Sequence, residues 1–386
     1  MKKLFKLLPV ALLLIAALAF SACQSDEEET TPATDNNVET PANNVETPAT
    51  GGIAASDIRI ALIAHSPESI LDDGSFNAGA WQGIQQFAAA NGLAADATRF
   101  FQPQSASDEA RIDLIADAIQ VFGADILILP GFHFVSSSYQ AQDIFPDANF
   151  VILDASPAGE GGVRIENNLV AIHYAEEQSG FLAGYAAVVN GYRNLGFMGG
   201  IAVPAVVRFG HGFVQGAEFA AASLGLGAGE VTINYHYLGM FAPDPAHVTM
   251  AGAWFAAGTE VIFAAAGGAG ASVIAAADAA GASVIGVDVD QSGDSPVVVT
   301  SAVKGLAAST LYMLEAHRDG AFPGGREYMF NAAINGVGLP METSRLANFT
   351  QAQYDAIFAQ LASGAVSVNA SLEQGDIQTS LVTVSW

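Results

Sequence analysis

The sequence predicts an α/β protein of doubly wound parallel sheets, and three observations predict it. From Asp57 onward short apolar runs alternate with Ala-rich stretches of helical length. The apolar runs show no polar alternation, as expected of strands covered by helices on both faces. Only 13% of residues are charged while 40 are glycine, which suits close helix-on-sheet layers rather than a coiled coil or a disordered chain.

The strand readings are 58–64, 124–130, 149–155, 194–200, 260–266, 283–289 and 297–303, each a run such as IRIALIA or SVIGVDV. Between them the helix readings are 77–91, 110–122, 179–190, 212–224 and 271–280. Roughly 330 residues of this pattern exceed one comfortable core, so two lobes are expected. In such sheets ligands bind beyond the carboxyl ends of the strands, which directs the search for chemistry to the residues just after each run.

The first residues read as an address. Lys2, Lys3 and Lys6 precede the apolar run LLPVALLLIAALAF, and Ser21, Ala22 and Cys23 follow. That run is shorter than the roughly 20 residues of a spanning helix, and its flanks are those of a secretory signal, here 1–22. FSAC resembles a bacterial lipobox, with Phe20 where Leu usually stands, which implies lipidation of Cys23. An ordinary signal with an incidental Cys is the other reading. Residues 23–56 are rich in Asp, Glu, Thr, Pro and Asn, with NNVETPA at 36–42 and again at 43–49. Such a segment lacks the apolar surface to offset ordering entropy and is expected to be a disordered acidic tether.

A net charge of −26 argues against a phosphate-backbone partner. Cutting the signal removes three of 13 basic residues and none of 39 acidic ones, leaving Lys304 as the only lysine. A single cysteine excludes an intramolecular disulfide and any multi-Cys metal centre.

At the strand ends stand the candidates. His65 and Ser66 follow the first strand, and Ser75 is placed to cap the next helix, with Phe76 at its mouth. Phe76 reads either as a ring facing a planar ligand or as a staple, and Trp81 as core. Asp154, Asp288 and Asp290 end strands, where a carboxylate accepts paired hydrogen bonds from hydroxyls or a base edge. Asp288, Asp290 and Asp294 also admit a metal reading, without a His or Glu cluster beside them. AAAGGAGAS at 264–272 ends a strand and opens a helix, allowing close backbone approach, but it is neither a phosphate-binding loop nor G-x-G-x-x-G. Lys304 closes TSAVK, Arg208 and Phe209 follow the GFMGG strand, and no Gly-x-Ser-x-Gly elbow is present. The seven histidines have no metal-ligand spacing.

DDGSFNAGAWQGIQQF, NFVILDA, EEQSGFLAGYAA, GFMGGIAVPAVVRFGHGFVQG, VIFAAAGGAGASVIAAADAAGASVIGVDVDQ and VVVTSAVK, in that order, resemble the basic membrane protein family. These are lipoprotein substrate-binding proteins of ABC importers, typified by purine nucleoside receptors. The resemblance runs from Asp57 to about residue 361 and implies a type I periplasmic-binding fold, two lobes joined by three hinge crossings. Lobe 1 is expected at 57–172 and 296–326, lobe 2 at 173–295 and 327–386.

By this resemblance Phe76 and Phe209 sandwich a base, Asp288 and Lys304 hold the ribose, and Gly267 offers its backbone. Asn77, Asp154 and His65 are further cleft residues. The implied protein is a monomer, without cofactor or catalysis, anchored by lipid on the extracytoplasmic face of the cell membrane beside an ABC permease. Family members commonly carry an Asp just after the first strand, where this chain has His65, Ser66 and Pro67. A neutral His offers one donor and one acceptor where a carboxylate only accepts, which puts purine preference in question.

Three other readings stand beside this one: a nucleoside hydrolase or transferase using Asp154, Asp288 and Asp290; the same fold holding a sugar or autoinducer; and an adhesin or sensor with a vestigial cleft. The anchor is tested directly: Cys23→Ala is expected to move the protein from the membrane fraction to the soluble extracytoplasmic fraction, and retention in the membrane would refute it.

Overall fold

The computed structural model describes residues 38–39 and 52–386. The signal segment, Cys23 and most of the tether lie outside the described residues. Within the tether, β1 (Val38–Glu39) pairs in parallel with residues 327–328, so these two residues depart from the expected unpaired spacer. The strand they join would otherwise be an open sheet edge, with backbone groups free to accept another strand.

The first lobe continues with β2 (Ile60–Ile63), α1 (Phe76–Asn91), β3 (Thr98–Phe101), α2 (Asp108–Gln120), β4 (Ile126–Pro130), α3 (Val135–Ile144) and β5 (Asn149–Leu153). A small hairpin, β6 (Ala158–Gly159) with β7 (Gly162–Val163), leads to β8 (Leu169–Tyr174). The second lobe begins with α4 (Glu176–Asn190), β9 (Asn194–Gly199), α5 (Pro204–Ser223), β10 (Val231–Tyr237), α6 (Pro245–Ala256), β11 (Val261–Ala265), α7 (Gly270–Ala280), β12 (Ser283–Asp288) and β13 (Val298–Lys304). The chain returns to the first lobe through α8 (Leu306–Arg318) and β14 (Arg326–Phe330). It ends in the second with β15 (Val337–Gly338), α9 (Gln351–Ala362) and β16 (Val382–Ser385).

Each lobe holds one seven-stranded sheet, ordered β1-β14-β8-β5-β4-β2-β3 and β15-β13-β12-β11-β9-β10-β16. All pairings within these two sheets are parallel except β13 with β15. The run β8-β5-β4-β2-β3 has its counterpart in β13-β12-β11-β9-β10, so both lobes build the same sheet from equivalent elements. Strands buried on both faces explain the runs read from the sequence: Leu62, Ile128 and Val151 pack with Ala80 and Ile84 of α1 on one face, and Ile63, Leu127 and Ile152 with Ile115 and Ala141 on the other.

The lobe boundaries differ from the expected ones. β13 hydrogen-bonds in the second sheet, and β14 lies in the first, between β8 and β1. The crossings therefore fall at 174–176, 304–306 and 330–337, just past strand ends. A run apolar on both faces fits either sheet equally well, so periodicity alone does not assign it to a lobe.

Helices α4 and α5 cross with backbone against backbone. A Cβ on Gly180 or Gly184 would lie 2.1 or 2.0 Å from the carbonyl oxygens of Phe209 and Phe213. One on Gly212 or Gly216 would meet those of Glu177 and Phe181 equally closely. Four-residue spacing places each glycine pair on one helix face, and any side chain there would drive the helices apart. Gly184→Ala is expected to cost about 2 kcal/mol or more in urea unfolding. Gly252→Ala, on α6 with nothing within 4 Å of the added methyl, serves as the neutral or mildly stabilising control.

Candidate functional site

The carboxyl ends of both sheets meet where the lobes touch, and Lys304 is buried between them. Its side chain is 2% exposed, ends β13 and adjoins two of the three crossings, since Lys304 pairs with Val337 and Gly305 donates to the Gly336 carbonyl. An ammonium this deep must be paired. Asp154 of the first lobe accepts a hydrogen bond from it, while Asp288 and Glu176 stand 3.5 and 3.6 Å away. Burial alone would lower the Lys304 pKa, but Asp154, Asp288 and Glu176 outweigh it and hold the ammonium charged well above its ordinary range.

Asp154 and Asp288 occupy equivalent places, at the ends of the corresponding strands β5 and β12. Both take left-handed backbone, with φ of 61° and 68°. Among the described residues only Asn335 shares this among non-glycines. Such strain, of order 1–3 kcal/mol, persists where the surroundings demand it and turns each carboxylate toward Lys304. Asp288 also accepts from the Ser75 hydroxyl at 2.6 Å, across the lobes. Burial raises the Asp288 pKa, against the opposing pull of Lys304. The second oxygen of Asp154, Oδ1, is buried and has no hydrogen-bond partner among the described residues.

Three rings surround the ammonium: Phe76 at 4.6 Å from the first lobe, Phe209 at 5.5 Å from the second, and Tyr174 at 5.3 Å. Phe209 is only 2% exposed and meets Phe263 edge-on at 5.8 Å. Its helix starts at Pro204 rather than at 212, so Arg208 and Phe209 are helical rather than in a loop. The two lobes touch through Ser75–Asp288, Lys304–Asp154 and Gln291 Nε2 on the Gly74 carbonyl. A cavity of about 310 Å³ between the lobes is lined by Asp73 of lobe 1 and by Gly267, Gly268, Gln291 and Asp294 of lobe 2, among others, and by none of the groups around Lys304; Lys304 lines a second cavity, of about 390 Å³, with Gly305, Asn335, Tyr354 and Phe358 at the crossings. Gly267 has φ of 55° and packs against Phe241, whose ring would lie 3.4 Å from an added Cβ.

The remaining expected residues sit elsewhere. Asn77 spends its amide on the Ile70 carbonyl at 3.1 Å, fixing the loop before α1. His65 stacks on His133 rather than joining the lysine cluster. Ser75 does not cap α1; Asp73 does, accepting from the amides of Ser75, Asn77 and Ala78 at 2.9 to 3.0 Å. A carboxylate takes three donors where a hydroxyl takes fewer, and this frees Ser75 for Asp288. The Asp288, Asp290 and Asp294 set does not converge: Asp290 is exposed and accepts from Thr343 at 2.7 Å. No group of three or more His, Cys, Asp or Glu among the described residues could hold a metal.

Glu176 went unread in the sequence. It opens α4 at the first crossing, fully buried, with Arg208 3.5 Å away and Lys304 beyond. Two consecutive glutamates at the head of an otherwise apolar helix, EEQSGFLAGYAA, were the available signal.

The architecture is that of two-lobed solute-binding proteins. A solute-binding protein of an ABC transporter system from Aeropyrum pernix K1 superposes with TM-score 0.69 at 18% identity, over 82% of this chain and 95% of that one. Another from Conexibacter woesei gives 0.63 at 22% identity, over 81% and 99%. The particular family follows from residues 59–371, which match the Bmp family, ABC transporter substrate-binding protein PnrA-like; the chain belongs to it. Among curated relatives, the ABC transporter nucleoside-binding protein BmpA of Lactococcus lactis subsp. cremoris is 28% identical over 76% of this chain and 85% of that protein. Basic membrane protein A2 of Borrelia garinii subsp. bavariensis is 29% identical over 66% and 72%. The chain is thus a substrate-binding component of an ABC transporter. No helix among the described residues is long and apolar enough to cross a membrane.

Burial, reinforced by Asp154, pushes the Glu176 carboxyl up to about 8, so it is mostly protonated at neutral pH. A carboxyl whose pKa is higher folded than unfolded binds its proton more tightly in the native state. Its share of stability is therefore full below the unfolded pKa of about 4 and is lost as pH rises to about 8 and just beyond. Between pH 7 and 9 this group alone should remove roughly 1 kcal/mol of unfolding free energy. Glu176→Gln should abolish that part of the decline in urea midpoints measured across the same interval.

Proposed function

We propose that the chain is an extracytoplasmic receptor, held to the membrane by lipid on Cys23, that captures a nucleoside between its lobes and delivers it to an ABC permease. The observation carrying this reading is the cluster between the lobes: a buried ammonium clamped by Asp154 and Asp288 from opposite lobes, with rings from both lobes around it and Asp154 Oδ1 unpartnered among the described residues. Aspartate oxygens accept from the hydroxyls of a pentose, and the ammonium donates to their lone pairs. Phe76 and Phe209 offer faces to a flat base, a contact that contributes about 1–3 kcal/mol per ring in nucleic-acid proteins.

Capture requires the lobes to part, since Phe209 is buried and Ser75–Asp288 spans the cleft. A ligand that bonds to both lobes at once favours the closed form by its differential affinity, and the permease reads that form. The named activity of the Lactococcus relative, nucleoside binding, supports the same class of ligand. Nothing in the role proposed for these groups breaks a bond: Asp154 and Asp288 orient hydroxyls, and Lys304 neutralises them.

Calorimetry with purine and pyrimidine nucleosides tests this. Stoichiometric binding is expected, with no free base released on long incubation. Phe76→Ala combined with Phe209→Ala should weaken it by about tenfold or more. Steady release of base would establish an enzyme instead, and unchanged affinity in the double variant would point to a non-aromatic solute.

A further inference from the structure

One contact between the lobes uses none of the groups assigned to the solute. Ser75–Asp288 and Lys304–Asp154 both involve the buried charge cluster. The bond from Gln291 Nε2 of lobe 2 to the Gly74 carbonyl of lobe 1, at 2.9 Å, does not. It grips the same segment, one residue before Ser75 and two before Phe76.

Gln291 is anchored to its own lobe at three points. Its amide N–H donates to Ser301 Oγ at 3.1 Å, its carbonyl accepts from the Asp294 amide at 3.0 Å, and Oε1 accepts from the Val287 amide at 2.8 Å. Only one orientation of the side-chain amide satisfies both of its ends, because the Val287 N–H can only donate and the Gly74 carbonyl can only accept. The residue is 5% exposed, so a partner lost here costs the full desolvation of the group left behind. The flanking glycines make room for it. A Cβ on Gly286 would lie 2.5 Å from Gln291 Oε1, and Gly74 takes φ of 60°, in the left-handed region.

We propose that Gln291 is the positioning latch between the lobes: it holds the segment carrying Ser75 and Phe76 against lobe 2 and so sets the share of molecules whose lobes stand together before a solute arrives. A solute that draws Asp288 away from Ser75 leaves this bond intact. Apparent affinity scales with the fraction of molecules in the binding-competent arrangement, so Gln291 acts on affinity without touching the solute. That effect on affinity rests on the nucleoside reading above, whereas the lobe equilibrium does not.

Asp73 of lobe 1 and Asp278 and Asp294 of lobe 2 line the cavity beside Gln291. Burial raises the carboxyls of Asp73 and Asp294 above their ordinary range, and a carboxyl introduced at position 291 shares that setting. Ionised, it still accepts from Val287 but turns an acceptor on the Gly74 carbonyl. Protonated, its O–H donates to that carbonyl as the amide does. Gln291→Glu therefore breaks the latch in alkali and restores it in acid, a reversal that a loss of packing would not show.

Nitroxide labels on Ile70→Cys and Met240→Cys, exposed positions after β2 and β10, report the separation of the lobes in the full chain carrying Cys23→Ala. Gln291→Glu should widen their distances at about pH 8 and return them at about pH 5 to those of the labelled parent at the same pH. By calorimetry the variant's affinity for inosine should fall about tenfold at the higher pH and recover to within about threefold of the parent at the lower. Gln291→Asn, an amide too short to reach both partners, should widen the distances at either pH and takes the place of Gln291→Glu if the carboxylate disturbs folding. Distances unchanged at the higher pH, or a widening in Gln291→Glu that persists in acid, overturn the latch and leave nucleoside capture standing. If the parent fails to bind inosine, nucleoside capture falls and the label distances still decide the latch.

Discussion

A positive charge buried between two sheets governs this molecule. Taking an ammonium out of water costs several kcal/mol even after relaxation, and the cost is offset only where carboxylates meet it directly. Asp154 comes from one lobe and Asp288 from the other, while Glu176, mostly protonated at neutral pH, stands at the connection between them. The lobes are thus coupled through the charge that a solute must address. Any group that competes for these carboxylates acts on the hinge as well as on the pocket.

The glycine crossing of α4 and α5 serves the same centre. Gly180 lies against the Phe209 backbone and Gly212 against that of Glu177. The helix carrying the second ring is therefore registered to the helix that begins with Glu176. Packing that looks remote from the chemistry sets the distance between an aromatic face and a buried acid, and rigid interiors transmit such placements with little loss.

Much of this was legible in the sequence, for identifiable reasons. Strands such as 126–130 and 149–153 were readable because burial on both faces leaves an unbroken apolar run. Val231–Tyr237 escaped because it alternates, with Thr232, Asn234 and His236 on its less buried side. Helix α5 begins eight residues before the expected start because Pro204 at its first turn, with its fixed φ, is itself an entry signal. At the site, Asp154, Asp288 and Lys304 stood out as charges at strand ends. Serine suits a cap position, yet Asp73, two residues before Ser75, satisfies those amides. Glu176 resembled an acid favoured at any helix start, and only the tertiary structure shows that its opening turn is interior.

The repeated strand order carries one more implication. Asp154 and Asp288 match across the halves, Phe76 and Phe209 both lie on the helix after the first strand, and Gly131 and Gly267 both follow the third. Strands β8 and β13 break the correspondence, ending in Tyr174 on one side and Lys304 on the other. A self-paired half would bring two identical ends to the pseudo-dyad, either two ammoniums that repel or two phenols that leave the acids uncompensated. One phenol ring set against one ammonium, 5.3 Å from its centroid, avoids both outcomes, so a single charge on the pseudo-dyad is shared by acids from both halves.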